Sequence, residues 1–301
     1  MNTNARVIPD TPRAGLVLAV VAFLIAPGMD VFAKLLTQTL SPGMIVTGRF
    51  AVVSVFLLPL MMWAGQMIRP RAGHWAAGVF LGFALLCFNT ALTVMPIANA
   101  IAIFFVEPLI LTLLSALLLG ERIGWRRISA VCVGLVGAMI VIRPNFEEYG
   151  TTALLPLGTA VFFACYMLVT RVMTQAGDRL ALQFWTGISA MLVMLGASVI
   201  WSGLEMPGLE LSWPDRGELL LFAGMGVVAV ITHQMIANAL ARAEAGVVAP
   251  IQYLEIVSAV LFGWWIFGDL PDLLTWIGGA IIIASGVYVF HRERQLSGDD
   301  A

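Results

Sequence analysis

Charge is what this sequence has least of. Of its 301 residues 11% are charged, against about 25% in soluble domains. The 16 Lys and Arg are balanced by 18 Asp and Glu, a net charge of −2. That balance offers nothing to a polyanion, so no nucleic-acid partner is expected. Cysteine is scarce too. Cys87, Cys132 and Cys165 lie in apolar runs without C-x-x-C spacing, which supports neither a disulfide framework nor a zinc site. No Gly-rich phosphate loop, H-E-x-x-H, G-x-S-x-G or kinase signature occurs, so neither enzyme chemistry nor ATP-driven work is expected, and no cofactor or metal is implied. The N-terminal tail, 1–13, is polar and lacks the apolar core and cleavage site of a signal peptide, so the first apolar run is expected to be retained.

What the chain has in quantity is apolar surface: 60% of it is hydrophobic, and its mean hydropathy is +0.94. A membrane span needs about 20 apolar residues. Ten such runs are legible, at 14–36, 42–66, 74–94, 97–119, 125–142, 153–173, 180–201, 217–240, 246–267 and 273–290. The expected fold is an all-α polytopic membrane protein of ten transmembrane helices, in which the lipid bilayer is the first partner. The longest connection, 202–216, is too short for an extramembrane domain. Twelve of the Lys and Arg residues fall at one side of these spans. Only Lys34, Arg49, Arg143 and Arg216 fall at the other. The crowded side is expected to be cytoplasmic, with both termini there.

The halves echo one another. Ala91-Leu92, Glu107 and Gly120-Glu121 recur 148 residues later as Ala239-Leu240, Glu255 and Gly268-Asp269. Lys34 and Thr37-Gln38 recur 137 residues later as Arg171 and Thr174-Gln175. The expected repeats are 14–143 and 152–290, between tails 1–13 and 291–301. Each repeat spans five helices, an odd number, so the second enters the membrane inverted. Inverted repeats place small-molecule substrate sites near the bilayer midplane and expose them alternately by rocking.

Polar residues inside the spans are candidates for such a site, because a charge at the helix centre costs about 2.5–3.5 kcal/mol on insertion scales. Glu107 lies deep in its run and is followed by Pro108, which removes a backbone donor. Glu255 repeats that position, with Gln252 one turn earlier and Tyr253 beside it. His233 and Gln234 add polarity to the eighth run, with Asn238 one turn beyond Gln234. Asn89 and Tyr166 are further hydrogen-bonding candidates. Phe88, Phe104, Phe105, Phe162 and Phe163 offer flat apolar surface, while Trp264 and Trp265 read as interface anchors. Each polar group has a plainer reading as glue between helices. Asp30 follows Pro27-Gly28, where a kink is expected. With Lys34 one turn on, it reads as an ion pair that Arg49 joins at the outer mouth, either a gate or a structural pair. The buried acids also make protons the expected coupling ion. Gly134, Gly137, Gly278, Gly279 and Gly286 mark the fifth and tenth runs for close packing.

The ordered set Glu107-Pro108, Gly120-Glu121-Arg122, Trp125, Glu255, Gly268-Asp269 and Gly278-Gly279 resembles the drug/metabolite transporter superfamily, EamA type, over about residues 15–290. That resemblance implies a cavity formed mainly by the first, third, fourth, sixth, eighth and ninth helices, with the fifth and tenth behind. Gly28-Met-Asp30-Val-Phe-Ala-Lys34, Gly48-Arg49-Phe50 and Tyr253-Leu-Glu255 are most similar to the bacterial branch of riboflavin and S-adenosylmethionine uptake carriers. Uptake of a small heteroaromatic metabolite is therefore the implied function. A cationic ligand would suit Asp30, Glu107 and Glu255. Neutral riboflavin would need stacking faces with Gln252, Asn89 and Tyr166. Export of amino acids or drugs on the same fold is the alternative, and a non-transporting scaffold or sensor is another.

Overall fold

The computed structural model of the chain describes residues 12–63, 69–119, 125–174, 179–201, 209–240, 242 and 248–299. Gly120, Glu121, Arg122, Gln175 and the run ends at 66 and 246 lie outside them, as does most of the N-terminal tail. The described residues form helices joined by short turns and loops, and no strand occurs among them. Seven segments are long and apolar enough to cross a membrane, one of them the 43-residue stretch Ile128–Thr170 that takes in two helices. Two shorter apolar helices, Ile251–Phe267 and Leu273–Val289, accompany them.

Proline decides where the apolar runs break. The first run divides into α1 (Pro12–Ile25) and α2 (Gly28–Leu36) at Pro27. Pro27 cannot donate to the carbonyl one turn back. That carbonyl, of Phe23, instead has the Ser258 hydroxyl 3.4 Å away, from the other end of the sequence. The runs α3 (Pro42–Trp63) and α4 (Ala72–Leu92) follow unbroken. The fourth run divides into α5 (Ile97–Phe104) and α6 (Glu107–Leu119), because Pro108 leaves Phe104 O without its helical donor.

The fifth run continues further than its apolar stretch. Helix α7 (Trp125–Tyr149) passes Ile142 and carries Pro144 inside it. Next to that proline, Asn145 Nδ2 donates to Val141 O at 2.7 Å, and Asn145 Oδ1 accepts from Asn99 Nδ2 of α5 at 2.8 Å. These bonds hold the helix together where hydropathy alone would end it. A 3₁₀ turn, Gly150–Leu154, leads into α8 (Leu155–Thr174), followed by α9 (Arg179–Trp201) and α10 (Arg216–Leu240).

The ninth run is the most irregular. A 3₁₀ turn (Ala249–Tyr253) precedes α11 (Leu254–Phe262), and a π turn (Gly263–Phe267) ends it. Gly268 then takes φ 74°, a left-handed conformation that costs other residues about 1–2 kcal/mol. Helix α12 (Leu273–Asp299) closes the chain and extends past 290 into the polar tail. The break between α5 and α6 and the junction between the 3₁₀ turn and α11 are 148 residues apart, the spacing of the sequence echo. Each places its acid, Glu107 or Glu255, in the first turn of the helix that follows.

Packing closes these helices into a ring. Taken in order, α1 packs on α10, α10 on α3, α3 on α9, α9 on α4, α4 on α8, α8 on α5 and α6, α5 on α11, and α11 on α1 again. Every neighbour in the ring comes from the opposite half of the chain. Helices α7 and α12 stand behind it and pack on each other more extensively than any other pair. Ser285 Oγ of α12 bonds Ala130 O of α7, and glycines bring the two backbones together. A Cβ on Gly278 would stand 2.6 Å from Gly137 O, and one on Gly137 would stand 2.9 Å from Gly278 O. A similar close crossing joins α4 to α9, where Ser189 Oγ donates to Trp75 O at 2.9 Å beside Gly78.

Candidate functional site

Four charged or ionisable side chains, on α2, α3, α10 and α11, form a chain of electrostatic neighbours. Asp30 stands in the first turn of α2 and Glu255 in the first turn of α11, each where the helix dipole favours a carboxylate. Arg49 projects from α3 and His233 from α10. Asp30 interacts electrostatically with both Arg49 and Glu255, and Arg49 also acts on His233. None of these pairs is in contact. The nearest polar partner of the Arg49 guanidinium is the Met29 thioether, at 3.7 Å. His233 Nδ1 donates to Ala229 O at 2.7 Å, which leaves Nε2 free to accept. Asp30, Arg49 and Glu255 are half-buried, and His233 is exposed. Opposite charges are thus held within electrostatic range without closing into an ion pair.

An aromatic series runs along the ring wall. Tyr166 and Phe163 of α8 lie 5.3 Å apart between centroids, and Phe163 meets Phe104 of α5 edge-on at 5.4 Å. Phe104 also touches Phe88 and Phe105, and Phe105 reaches Tyr253 at 5.2 Å. Phe104, Phe163 and Tyr166 keep part of their surface open, so this stretch can face a flat ring. Phe162 turns away to pair with Phe83.

Several sequence candidates stand elsewhere. Glu107 and Glu255 share a repeat position but not a site. Glu107 is 8% exposed and faces Tyr253, itself 5% exposed. Glu107 Oε1 and the Tyr253 hydroxyl have no hydrogen-bond partner among the described residues. The Tyr253 ring fills the space left by Gly286, where a Cβ would overlap its hydroxyl. Tyr253 therefore points toward α12 rather than to the group around Arg49, and Glu107 sits in packed core beside it. Asn89 is also closed off, at 1% exposure. Gln252 and Gln234 remain half-buried. Asn238 Nδ2 is spent on Gln234 O at 2.7 Å, and its Oδ1 accepts from Arg242 at 3.1 Å.

The expected Asp30–Lys34 pair does not form. Lys34 Nζ bonds Asp269 Oδ2 at 2.7 Å and Met95 O at 3.1 Å, and lies 4.8 Å over the Phe267 ring. A flexible ammonium finds three partners at that end of α2, whereas Asp30 faces inward. Asp269 is the participant that sequence reasoning missed. It stands 235 residues from Lys34 and is presented by the left-handed turn at Gly268.

Apolar helices from both halves, interleaved in one bundle with ionisable groups among them, define a polytopic membrane protein. The chain belongs to the EamA-like transporter family, whose profile matches residues 13–143 and again 150–290. It is a multi-pass protein of the bacterial inner membrane. It is 29% identical to the riboflavin transporter of Vibrio cholerae over 83% of each chain. It is 27% identical to the S-adenosylmethionine uptake transporter of Rickettsia felis over 88% of each. The pseudopaline exporter CntI of Pseudomonas aeruginosa is 26% identical, across 95% of this chain and 99% of that one. A solved crystal structure with 20% identity shares the fold at a TM-score of 0.60, covering 92% of this chain and 98% of the other.

Proposed function

We propose that this chain is a secondary-active importer of a small heteroaromatic metabolite, of the riboflavin or S-adenosylmethionine class. It works by alternating access through ten spans arranged as two inverted repeats, 14–143 and 152–290, with both termini in the cytoplasm. The observation that carries the reading is the group Asp30, Arg49, His233 and Glu255, held between helices of both halves without ion pairing. Charged groups are costly at that depth, and a bound solute is what would offset their cost. The aromatic stretch through Phe104, Phe163 and Tyr166 supports a flat ring in the ligand. On this reading Gln252 and Gln234 are further contacts, and Asn89 joins them only after a rearrangement. Lys34 and Asp269 lie at the end away from the cytoplasm, which they close.

The test is rescue of a riboflavin auxotroph lacking its own importer at low external riboflavin, run beside uptake of labelled S-adenosylmethionine into cells. Uptake of one solute that Glu255→Gln lowers at least about tenfold, with the protein still in the membrane, is the expected result. The absence of both rescue and uptake, despite good expression, overturns import.

Export is the second reading, favoured by the similarity to the pseudopaline exporter across nearly the whole chain. It predicts that expression depletes the solute from loaded cells.

Protons are the proposed coupling ion, because Glu107 lies in the core between the halves without a cationic partner among the described residues. Accumulation is expected to collapse with an uncoupler in the wild type and to be absent in Glu107→Gln. Accumulation that ignores both the uncoupler and the substitution refutes the coupling.

A further inference from the structure

A lateral cleft of about 180 Å³ separates α11 from α12. The two helices follow each other in sequence but share little packing, and α5, which packs on both, backs the gap between them. Ala98 and Ala102 of α5, Ile256 and Val260 of α11, and Gly279 and Ile283 of α12 line it. Small residues keep it open: a Cβ on Gly279 would meet nothing within 4 Å. Val257 and Trp276, each 48% exposed, flank the opening, and the exposed apolar surface continues through Leu261 and Leu274. From Thr275 to Ile283 the cleft runs about 12 Å along α12, at 1.5 Å per residue. Tyr253 and Thr275 bring hydroxyls to its wall, but both hydroxyls are covered. The cleft therefore presents carbon, and lacks the about two to four polar partners that hold an ordered water. Its chemistry changes at the Pro271 end. Asp272 follows that proline, is exposed, and accepts at Oδ1 from Thr275 N at 2.8 Å, which fixes a carboxylate at the mouth.

We propose that this cleft binds one acyl chain of a zwitterionic phospholipid, whose ammonium headgroup lies beside Asp272. Continuity with the bilayer selects the occupant. The chain is a multi-pass membrane protein, and the flanks of the cleft belong to the exposed apolar surface that such a protein turns to lipid. An acyl chain is the apolar material present at that surface, and in a slot lined with carbon it gains contacts on several sides at once. A flexible unbranched chain also matches a long slot with a floor of small residues. At the mouth, an anionic headgroup would set like charges together, whereas an ammonium is attracted. The site is distinct from the solute groups already described: none of Asp30, Arg49, His233, Glu255, Phe104, Phe163 and Tyr166 lines it. It requires that the chain lie in a membrane, and does not depend on which solute is carried or in which direction.

The experiment is photolabelling of the full-length protein in lipid nanodiscs that contain phosphatidylethanolamine with a diazirine on one acyl chain. Labelled residues are located by mass spectrometry. Label on Val257, Trp276 and Ala280 is expected to exceed that on the exposed faces of α9 and α10 at least about fivefold, because a chain in the cleft buries more of its surface than one on a convex helix. Gly279→Leu, which projects a side chain into the cleft, should lower this label at least about fivefold while leaving α9 within about twofold, since the change is local. The same diazirine on phosphatidylglycerol should label the cleft at least about threefold less. Even label over all the lipid-facing helices overturns the proposal, as does a cleft label that Gly279→Leu leaves unchanged. Equal label from the two headgroups overturns the place given to Asp272. Should Gly279→Leu not fold, the wild-type contrast between the cleft and α9 decides alone. A dimer in size exclusion, with the cleft unlabelled, assigns this face to a second copy of the chain and overturns the lipid.

Discussion

Reversing one charge, Lys34→Glu, is expected to lower transport at least about tenfold, and adding Asp269→Lys to restore a large part of it. Lys34 joins three separate pieces of chain: α2 through its own backbone, the α4–α5 connection through Met95 O, and the turn after the π segment through Asp269 and Phe267. The side chains of Lys34 and Asp269 are 16% and 30% exposed, so the bond is partly shielded from water. An exposed pair contributes about 0–1 kcal/mol, and breaking a buried one costs about 3–5 kcal/mol. A half-covered pair falls between them, enough to change the ratio of closed to open states about tenfold, since each 1.4 kcal/mol is that factor. Two acids facing each other after Lys34→Glu would hold this end apart, and a carrier that cannot close one end cannot complete a cycle. The measurement is uptake of the identified solute normalised to protein in the membrane. A double variant no better than the single one would reduce the bond to a local fastening.

Gly278→Leu should destabilise the protein by about 2–4 kcal/mol, the range in which packing clashes become severe. The atom in the way is a backbone oxygen, Gly137 O, and the Val141 side chain crowds the same space. A side-chain neighbour can rotate, whereas a helix carbonyl can move only with its helix. The two helices would have to separate, and α7 and α12 share the most extensive packing in the molecule. Gly279 provides a neighbouring control, because a Cβ there meets nothing within 4 Å. Melting followed by fluorescence-detected size exclusion should show Gly278→Leu lost or strongly lowered, with Gly279→Ala melting like the wild type. Equal melting of Gly278→Leu and the wild type would mean that the pair is dispensable.

Hydropathy located the helical runs because apolar length and proline are both local properties of the chain. The divisions at Pro27 and Pro108 follow from a missing N–H and can be read from one residue. The extension of α7 to Tyr149 could not, because it is held by Asn99 and Asn145, whose bonds hydropathy does not record. Adjacent positions on one helix also misled. Asp30 and Lys34 are spaced for pairing, yet the lysine goes to a partner 235 residues away. The sequence echo was informative about backbone and less so about chemistry. It aligns the helix interruptions near Glu107 and Glu255, but the two acids end in different surroundings, one against Tyr253 and one facing Asp30. His233 and Arg49 were visible as unusual residues. That they come within electrostatic range of each other depends on α3 and α10 becoming neighbours, which no local pattern encodes.

The alternating order of the ring has a consequence for biogenesis. A ribosome finishes α1 to α7 before any of α8 to α11 exists, so each ring helix of the first half enters lipid without the second-half helices on which it packs most. The polar groups of the first half, Asp30 and Arg49 among them, must wait against lipid, the insertion machinery or one another until the second half is made. Neither half can therefore mature alone and dock afterwards as a finished unit. The newborn chain is most exposed to quality-control proteases in the interval between the two halves.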